Sequence, residues 1–198
     1  SSATSTTNGR QEVAVCDYLL YYPFIDTDAI GEEQVMDNTV TLPRYAAQGG
    51  QVVAVAQSAA SAIGQFTFSY TNQDGVSGRT SQNNYTFIVA GGGQVVGASG
   101  AGASYNPFCY LQVGDTAVRS IESVTMSAAG GGLMCLVIVK TLIKTVVSQE
   151  CRRTTTGNLE SYGACTELSS VIHQAGAPRI LDGAVIGLLA AGYSGSLA

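Results

Sequence analysis

Apolar and polar residues alternate along much of this chain with a period of two, which is the spacing of a β-strand with one buried face. The clearest case is QFTFSYTNQDGVSGRTS at residues 65–81. Three aromatic residues of this stretch fall on the same side of the pleat: Phe66, Phe68 and Tyr70. Asp74 and Gly75 tolerate the positive φ of a tight turn, and Gly78 allows a bulge after it. The stretch therefore predicts a β-hairpin.

Further strands are predicted on both sides of this hairpin. Residues 13–24, VAVCDYLLYYPF, and residues 38–43, NTVTLP, are apolar or alternating and both include a proline at or near the end. The run at 133–147 is apolar at consecutive positions and rich in β-branched residues, which predicts a central strand covered on both faces. Residues 117–127, AVRSIESVTMS, alternate imperfectly and predict an irregular edge strand.

Short strands separated by glycine- and proline-rich turns predict an all-β fold, a β-sandwich or jelly roll with glycine-rich loops. At most short helices are expected. Only two stretches have a pattern compatible with a helix: residues 28–36 and residues 159–173.

The chain begins with SSATSTTNGR, which has no apolar residue larger than alanine and so cannot pack against a core. We therefore predict a flexible N-terminal arm at residues 1–12 and a single β-rich domain at residues 13–198. Residues 16–45 and 159–190 share an acidic and aromatic start, a loop of similar length and an acidic turn before an apolar strand. This weak internal similarity suggests a structural duplication.

Composition predicts a surface that other molecules cover. Charged residues make up 12% of the 198 residues and apolar residues 45%, against about 25% charged in a typical soluble domain. The net charge of −5 lacks the basic footprint of a nucleic-acid-binding protein. The longest apolar run, LMCLVIV, is far shorter than the roughly 20 residues that cross a bilayer. The opening SSATSTT suits a cytoplasmic product whose initiator Met was removed.

The acidic stretch DTDAIGEEQVMD at residues 26–37 is similar to a calcium-binding loop. Asp26, Asp28 and Asp37 stand at the first, third and twelfth positions, where such a loop has carboxylate ligands. Ile30 stands at the fifth position and cannot bind a metal. The three aspartates are therefore a weak candidate calcium site, and no other metal site is predicted.

The same stretch has a second interpretation as a capped helical turn. Thr27 or Asp28 would cap the turn, and Glu32 and Glu33 would favour its N-terminal end.

No catalytic residue and no cofactor is predicted. The chain lacks a G-x-S-x-G nucleophile elbow, a P-loop and a dinucleotide-binding motif. Its one histidine, His173, is the single imidazole available as a base. The cysteines form no C-x-x-C pair and are expected to be free and mostly buried: Cys16, Cys109, Cys135, Cys151 and Cys165.

Several stretches together, CDYLLYYPFID, NTVTLPRY, FTFSYTNQDGVSGRT and LQVGDTAVRSIESVTMS followed by LVIVKTL, resemble a family of small structural proteins of tailed bacteriophages. The resemblance spans residues 13–142 and, more weakly, APRILDGAVIGLL. It implies a virion component, most plausibly on the head, with no catalytic residues. The glycine-rich stretch at 91–104 and CRRTTTGNLESYGACTELS depart from the family.

These observations lead to one main hypothesis. The chain is expected to be a non-enzymatic capsid decoration (cement) protein that is made in the host bacterial cytoplasm and resides in the virion. Its partners would be the major capsid protein and copies of itself, with a trimer favoured, and neither nucleic acid nor membrane. A tail, neck or tail-tube component, a receptor- or glycan-binding module that uses calcium, and a virion hydrolase that uses His173 are the alternatives.

Overall fold

The computed structural model describes residues 10–93, 95, 97–98, 107–148 and 185–191. These residues form ten β-strands and no helix, so the all-β prediction is confirmed. The strands are β1 (Arg10–Asp26), β2 (Glu33–Val35), β3 (Gln51–Ala56), β4 (Gln65–Asn72), β5 (Arg79–Thr80), β6 (Asn84–Thr86), β7 (Gly97–Ala98), β8 (Val118–Ala128), β9 (Leu133–Ser148) and β10 (Val185–Ala191).

The strands form two antiparallel sheets, as in a β-sandwich. One sheet has four strands in the order β10-β1-β9-β3. The other has six strands, with β2-β8-β4-β6-β7 in order and β5 paired with β4. Within the described parts of the chain there is no helix long and apolar enough to cross a membrane.

The chain divides into two compact units. One unit is Tyr18–Lys140, and the other consists of Ser1–Asp17 and Thr141–Ala198. The hydrophobic core and every interaction considered as a candidate site below belong to the Tyr18–Lys140 unit, apart from one cysteine.

The predicted domain organisation stays a prediction. Most of the arm and residues 159–184, on which the duplication depends, lie outside the described residues, as does the predicted helix at 159–173. The one observation that touches the arm is that β1 begins at Arg10, so residues 10–12 belong to a strand.

The core of the Tyr18–Lys140 unit is built from strands with alternating burial. In β4 every second residue is buried, and the aromatic side chains of Phe66, Phe68 and Tyr70 are at most 1% exposed. Neighbouring rings in this row are tilted against each other, with 5.4 Å between the centroids of Phe68 and Tyr70. Met134 and Leu136 of β9 belong to the same core. Each such side chain contributes roughly 1.5–3 kcal/mol through its burial.

The hairpin predicted at residues 65–81 is confirmed. Tyr70 of β4 pairs with Arg79 of β5, and the Asn72 side chain accepts the N–H groups of both Asp74 and Val76 inside the turn. Gly75 has φ of 80°, a conformation that glycine adopts without steric cost.

The central strand predicted at 133–147 is also confirmed. β9 lies between β1 and β3 in its sheet. Residues 134–139 are buried at every position, as expected for a strand that is covered on both faces.

The prediction for residues 117–127 is half right. β8 is irregular, with three register shifts along its pairing with β4. It is not an edge strand, because the three-residue strand β2 pairs along its other side. A strand as short as β2 has too few residues to reveal its alternation in the sequence.

The helical turn predicted at residues 28–36 is wrong. Ile30 forms a β-bridge with Met126, and the Gly31 N–H donates to the Met126 carbonyl at 2.8 Å. Thr27 does not cap a helix; its hydroxyl donates to the Gly132 carbonyl instead. Pairing with a distant strand satisfies the backbone groups that a local helical turn would have satisfied.

Candidate functional site

A cleft of about 560 Å³ opens between β1 and the segment formed by β2 and residues 36–40. We call it the β1–β2 cleft. Four of its apolar side chains are more than half exposed to solvent: Tyr21 at 54%, Phe24 at 74%, Val35 at 78% and Val40 at 62%. Large apolar side chains gathered in one concave place are typical of a binding surface.

A partly buried hydrogen-bond network connects the two walls of the cleft. The Tyr22 hydroxyl donates to Asn38 Oδ1 at 2.9 Å and accepts the Ile121 N–H at 3.1 Å. The Asn38 amide group donates to the Ile121 carbonyl at 2.9 Å. Burial raises the pKa of Tyr22 above its ordinary value. These bonds join both walls of the cleft to β8, so the cleft has a fixed shape.

A second set of bonds closes one end of the cleft. The Gln34 side chain both donates to the Asp26 carbonyl and accepts the Asp26 N–H, each at 2.8 Å. Its carboxamide thereby makes the two hydrogen bonds to Asp26 that the backbone of a neighbouring strand would otherwise make. Phe24 stands two residues earlier with φ of 63°, a left-handed conformation that costs on the order of 1–2 kcal/mol. The ring that this conformation presents to solvent is the most exposed aromatic ring in the cleft.

Each of the three aspartates proposed as calcium ligands accepts a backbone N–H. Asp26 accepts that of Asp28, Asp28 accepts that of Gly131, and Asp37 accepts that of Thr39. The bond from Thr39 lowers the pKa of Asp37. In the described ranges of the chain no three His, Cys, Asp or Glu side chains form a group that could hold a metal ion.

A different aspartate, Asp115, is the centre of a closed polar network. It accepts hydrogen bonds from the Tyr70 hydroxyl at 2.7 Å, from Asn72 Nδ2 at 2.9 Å and from Arg79 Nε at 2.9 Å. The Asp115 side chain is 4% exposed. The bond from Arg79 is the main reason why the pKa of Asp115 falls to about 2. The Gln112 N–H donates to the Tyr70 hydroxyl oxygen, so all members of this network have partners.

Three of the five cysteines lie in the described residues, and all three are buried as predicted: Cys16, Cys109 and Cys135. The prediction of a free thiol is confirmed for Cys109 and Cys135. Burial raises the pKa of Cys109 to about 12, which keeps it protonated and unreactive. Cys151, Cys165 and His173 lie outside the described residues.

The sequence predictions identified the acidic loop but missed both the cleft and the Asp115 network. A signal for the cleft exists in YYPF at residues 21–24, which contains three aromatic residues around a proline. Because alternate residues of a strand point to opposite faces, one buried face cannot hold all three rings. Asp115 carries no such signal, since its partners Tyr70 and Arg79 lie 45 and 36 residues away.

Comparisons of this chain with protein-family models, with curated proteins and with solved structures gave no match.

Proposed function

We propose that this protein is a non-enzymatic structural component of a bacteriophage virion, namely a capsid decoration protein that binds the lattice of the major capsid protein through the β1–β2 cleft. The observation that carries the proposal is the set of exposed apolar side chains in that cleft. The resemblance of residues 13–142 to structural proteins of tailed phages supplies the virion context.

The energetics of the cleft support a docking role. Burying apolar surface contributes about 25 cal/mol per Å², and aromatic side chains that enter a partner often account for 2 kcal/mol or more of binding each. Tyr21 and Phe24 are two such side chains in a cleft whose walls are already joined by Tyr22 and Asn38. A preorganised surface of this kind binds with a smaller ordering cost than a flexible one.

A decoration protein would also contact copies of itself, and we propose a symmetric oligomer, with a trimer favoured. The low share of charged residues, 12%, supports a surface that neighbouring subunits cover. The proposed location is the virion, after synthesis in the bacterial cytoplasm.

The test is reconstitution on phage particles that lack the protein. Purified protein is added, unbound protein is removed by sedimentation, and its position is determined by cryo-electron microscopy. The expected result is density at regular sites over the capsid lattice. The double substitution Tyr21→Ser with Phe24→Ser should weaken binding by at least about 30-fold, which corresponds to about 2 kcal/mol.

The matched control is Val113→Ser, which removes an apolar side chain that is 85% exposed but lies outside the cleft. This variant should bind particles like the unaltered protein. Density confined to the tail axis would contradict the decoration role and favour a tail or neck component. An absence of binding to particles would overturn the virion proposal as a whole.

A further inference from the structure

We propose that the β1–β2 cleft takes an extended, basic segment of a partner protein, which adds as a further strand to the free edge of β2. This inference deepens the proposed function and rests on it, because it specifies the chemistry of the segment that docks.

One edge of β2 is unpaired, which supports the addition of a further strand. In an antiparallel ladder, residues that exchange backbone hydrogen bonds alternate with residues that do not. The Met36 N–H donates to the Glu122 carbonyl, and Val35 stands opposite Ser123 in the register. The N–H and C=O of Val35 therefore point away from β8. β2 is the end strand of its sheet among the described residues, so this edge can receive another strand.

Apolar side chains line the cleft next to this edge, which supports a partner segment with apolar side chains of its own. Side chains of an added strand would alternate between the cleft and solvent. Those facing the cleft would meet Val35 on one wall and Tyr21 and Phe24 on the other. Apolar side chains at every second position of the partner segment fit this lining.

The negative charge of residues 26–37 supports a basic partner segment. Residues 26–37, which include β2, carry five exposed carboxylates that we call the acidic rim, and one of them, Asp37, lines the cleft. The five are Asp26, Asp28, Glu32, Glu33 and Asp37. Residues 11–43 contain no lysine or arginine. Lysine or arginine in the docking segment is complementary to this rim and raises the rate of encounter.

Two other occupants fit this cleft less well. Pairing with β2 of a second copy would bring two acidic rims of like charge together, which is destabilising. The chain's own residues 1–10 have no apolar side chain larger than alanine to fill the cleft. Of these three occupants, a segment of a different protein is the one that fits both the charge and the apolar lining, and the partner lattice is its source under the proposed function.

The experiment uses a synthetic probe peptide, KTVTVTVTK, with a fluorescent label and blocked ends, titrated with the full-length protein and followed by fluorescence anisotropy. A peptide with glutamate in place of both lysines is the charge control. The unaltered protein should bind the basic peptide at least about tenfold more tightly than the acidic one, and added salt should reduce that difference.

Two protein variants test the edge. Val35→Pro removes the outward N–H without removing a hydrogen bond to β8, whereas Val35→Thr keeps the N–H and nearly the same shape. We expect at least a tenfold loss of affinity for Val35→Pro and less than a threefold change for Val35→Thr. Equal affinity of the two variants would overturn strand addition, provided that both melt at similar temperatures.

A charge-reversed variant keeps the proposal testable if Val35→Pro fails to fold. The double substitution Glu32→Lys with Glu33→Lys alters exposed side chains only and should sharply reduce the preference for the basic peptide, because it removes most of the negative charge of the acidic rim. An unchanged preference would overturn the role of the acidic rim.

The outcomes separate this inference from the proposed function. Protein that decorates particles but binds neither peptide would overturn the strand-addition inference and leave the decoration role standing. Protein that binds the basic peptide but not particles would overturn the decoration role and support the chemistry of the cleft.

Discussion

The β1–β2 cleft and the Asp115 network use similar residues in opposite ways. Each places an aspartate of a loop, Asp37 or Asp115, close to aromatic side chains of a strand. In the network, the Asp115 side chain is 4% exposed and accepts hydrogen bonds from three side chains. In the cleft, the carboxylate of Asp37 is exposed to solvent, as are the neighbouring apolar side chains.

This difference separates stability from binding. Polar groups that already have hydrogen-bond partners inside the protein contribute to the free energy of unfolding, and few of their donors and acceptors remain available to a ligand. Groups that remain exposed contribute little to folding and are available to a partner. Substitutions in the network should therefore change stability, and substitutions in the cleft should change binding.

Between the network and the cleft, the largest effect on stability is expected for Asp115→Ala. The Tyr70 hydroxyl and the Asn72 amide would lose their acceptor inside the protein, so the free energy of unfolding should fall by about 2–4 kcal/mol. Urea denaturation measures this change. Asp74→Ala is the matched control, because Asp74 is an exposed aspartate of the same hairpin region, and it should change stability by less than about 0.5 kcal/mol. Equal effects of both substitutions would contradict the role given to the network.

The next largest effect is a pH dependence of the stability that the Asp115 network contributes. The pKa of Asp115 is about 2 in the folded protein, against an ordinary value of 3.8. Because folding lowers this pKa, the stabilisation by the carboxylate is present above about pH 4 and is lost as the pH falls towards 2.

The measurement is urea denaturation between pH 5 and pH 2 for the unaltered protein and for Asp115→Asn. The difference in unfolding free energy between the two proteins should shrink as the pH falls. A difference that stays constant over this range would show that Asp115 is not the group that titrates.

A smaller effect on stability is expected in the cleft. Phe24→Gly relieves a left-handed conformation that costs on the order of 1–2 kcal/mol, and the flexibility of glycine in the unfolded chain offsets about half of that gain. The stability should thus stay within about 1 kcal/mol of the unaltered protein, while binding to particles falls. The neighbouring Ile25 is fully buried, and Ile25→Ala should instead cost about 2–5 kcal/mol. A comparable loss from both variants would mean that Phe24 belongs to the core.

The smallest effect is expected from calcium. Asp26, Asp28 and Asp37 each accept a backbone N–H, so excess Ca²⁺ or a chelator should leave the melting temperature unchanged. A melting temperature that rises with the concentration of Ca²⁺ would show binding to the folded protein, and it would favour the calcium-dependent binding module over the decoration protein.

The parts of the fold that were predicted correctly are those whose signal is local. Alternation over eight residues of β4 identified its buried aromatic face, and a continuous apolar run identified β9 as a central strand. The prediction of a helical turn at 28–36 failed because its carboxylates and cap residues also suit an irregular loop. Pairing of Ile30 with Met126, a residue far along the chain, decided between the two.

The candidate site was predictable only in its residue types, that is, in its charge and its aromatic content. The acidic composition of residues 26–37 is visible in the sequence, and so is the excess of aromatic residues at 21–24. Their common location on the two walls of one cleft depends on how β1 and β2 are placed by β8 and by the bonds of Tyr22 and Asn38.

The amino-acid sequence by itself determined that this protein is an all-β chain with a buried aromatic row, buried thiols at three described positions and an acidic loop, because strand periodicity and charge are local properties. The tertiary structure alone decided which aspartate is enclosed and which apolar side chains stay exposed. The physical reason is that alternation assigns a side chain to a face of a strand, whereas the element that covers this face comes from a distant part of the chain.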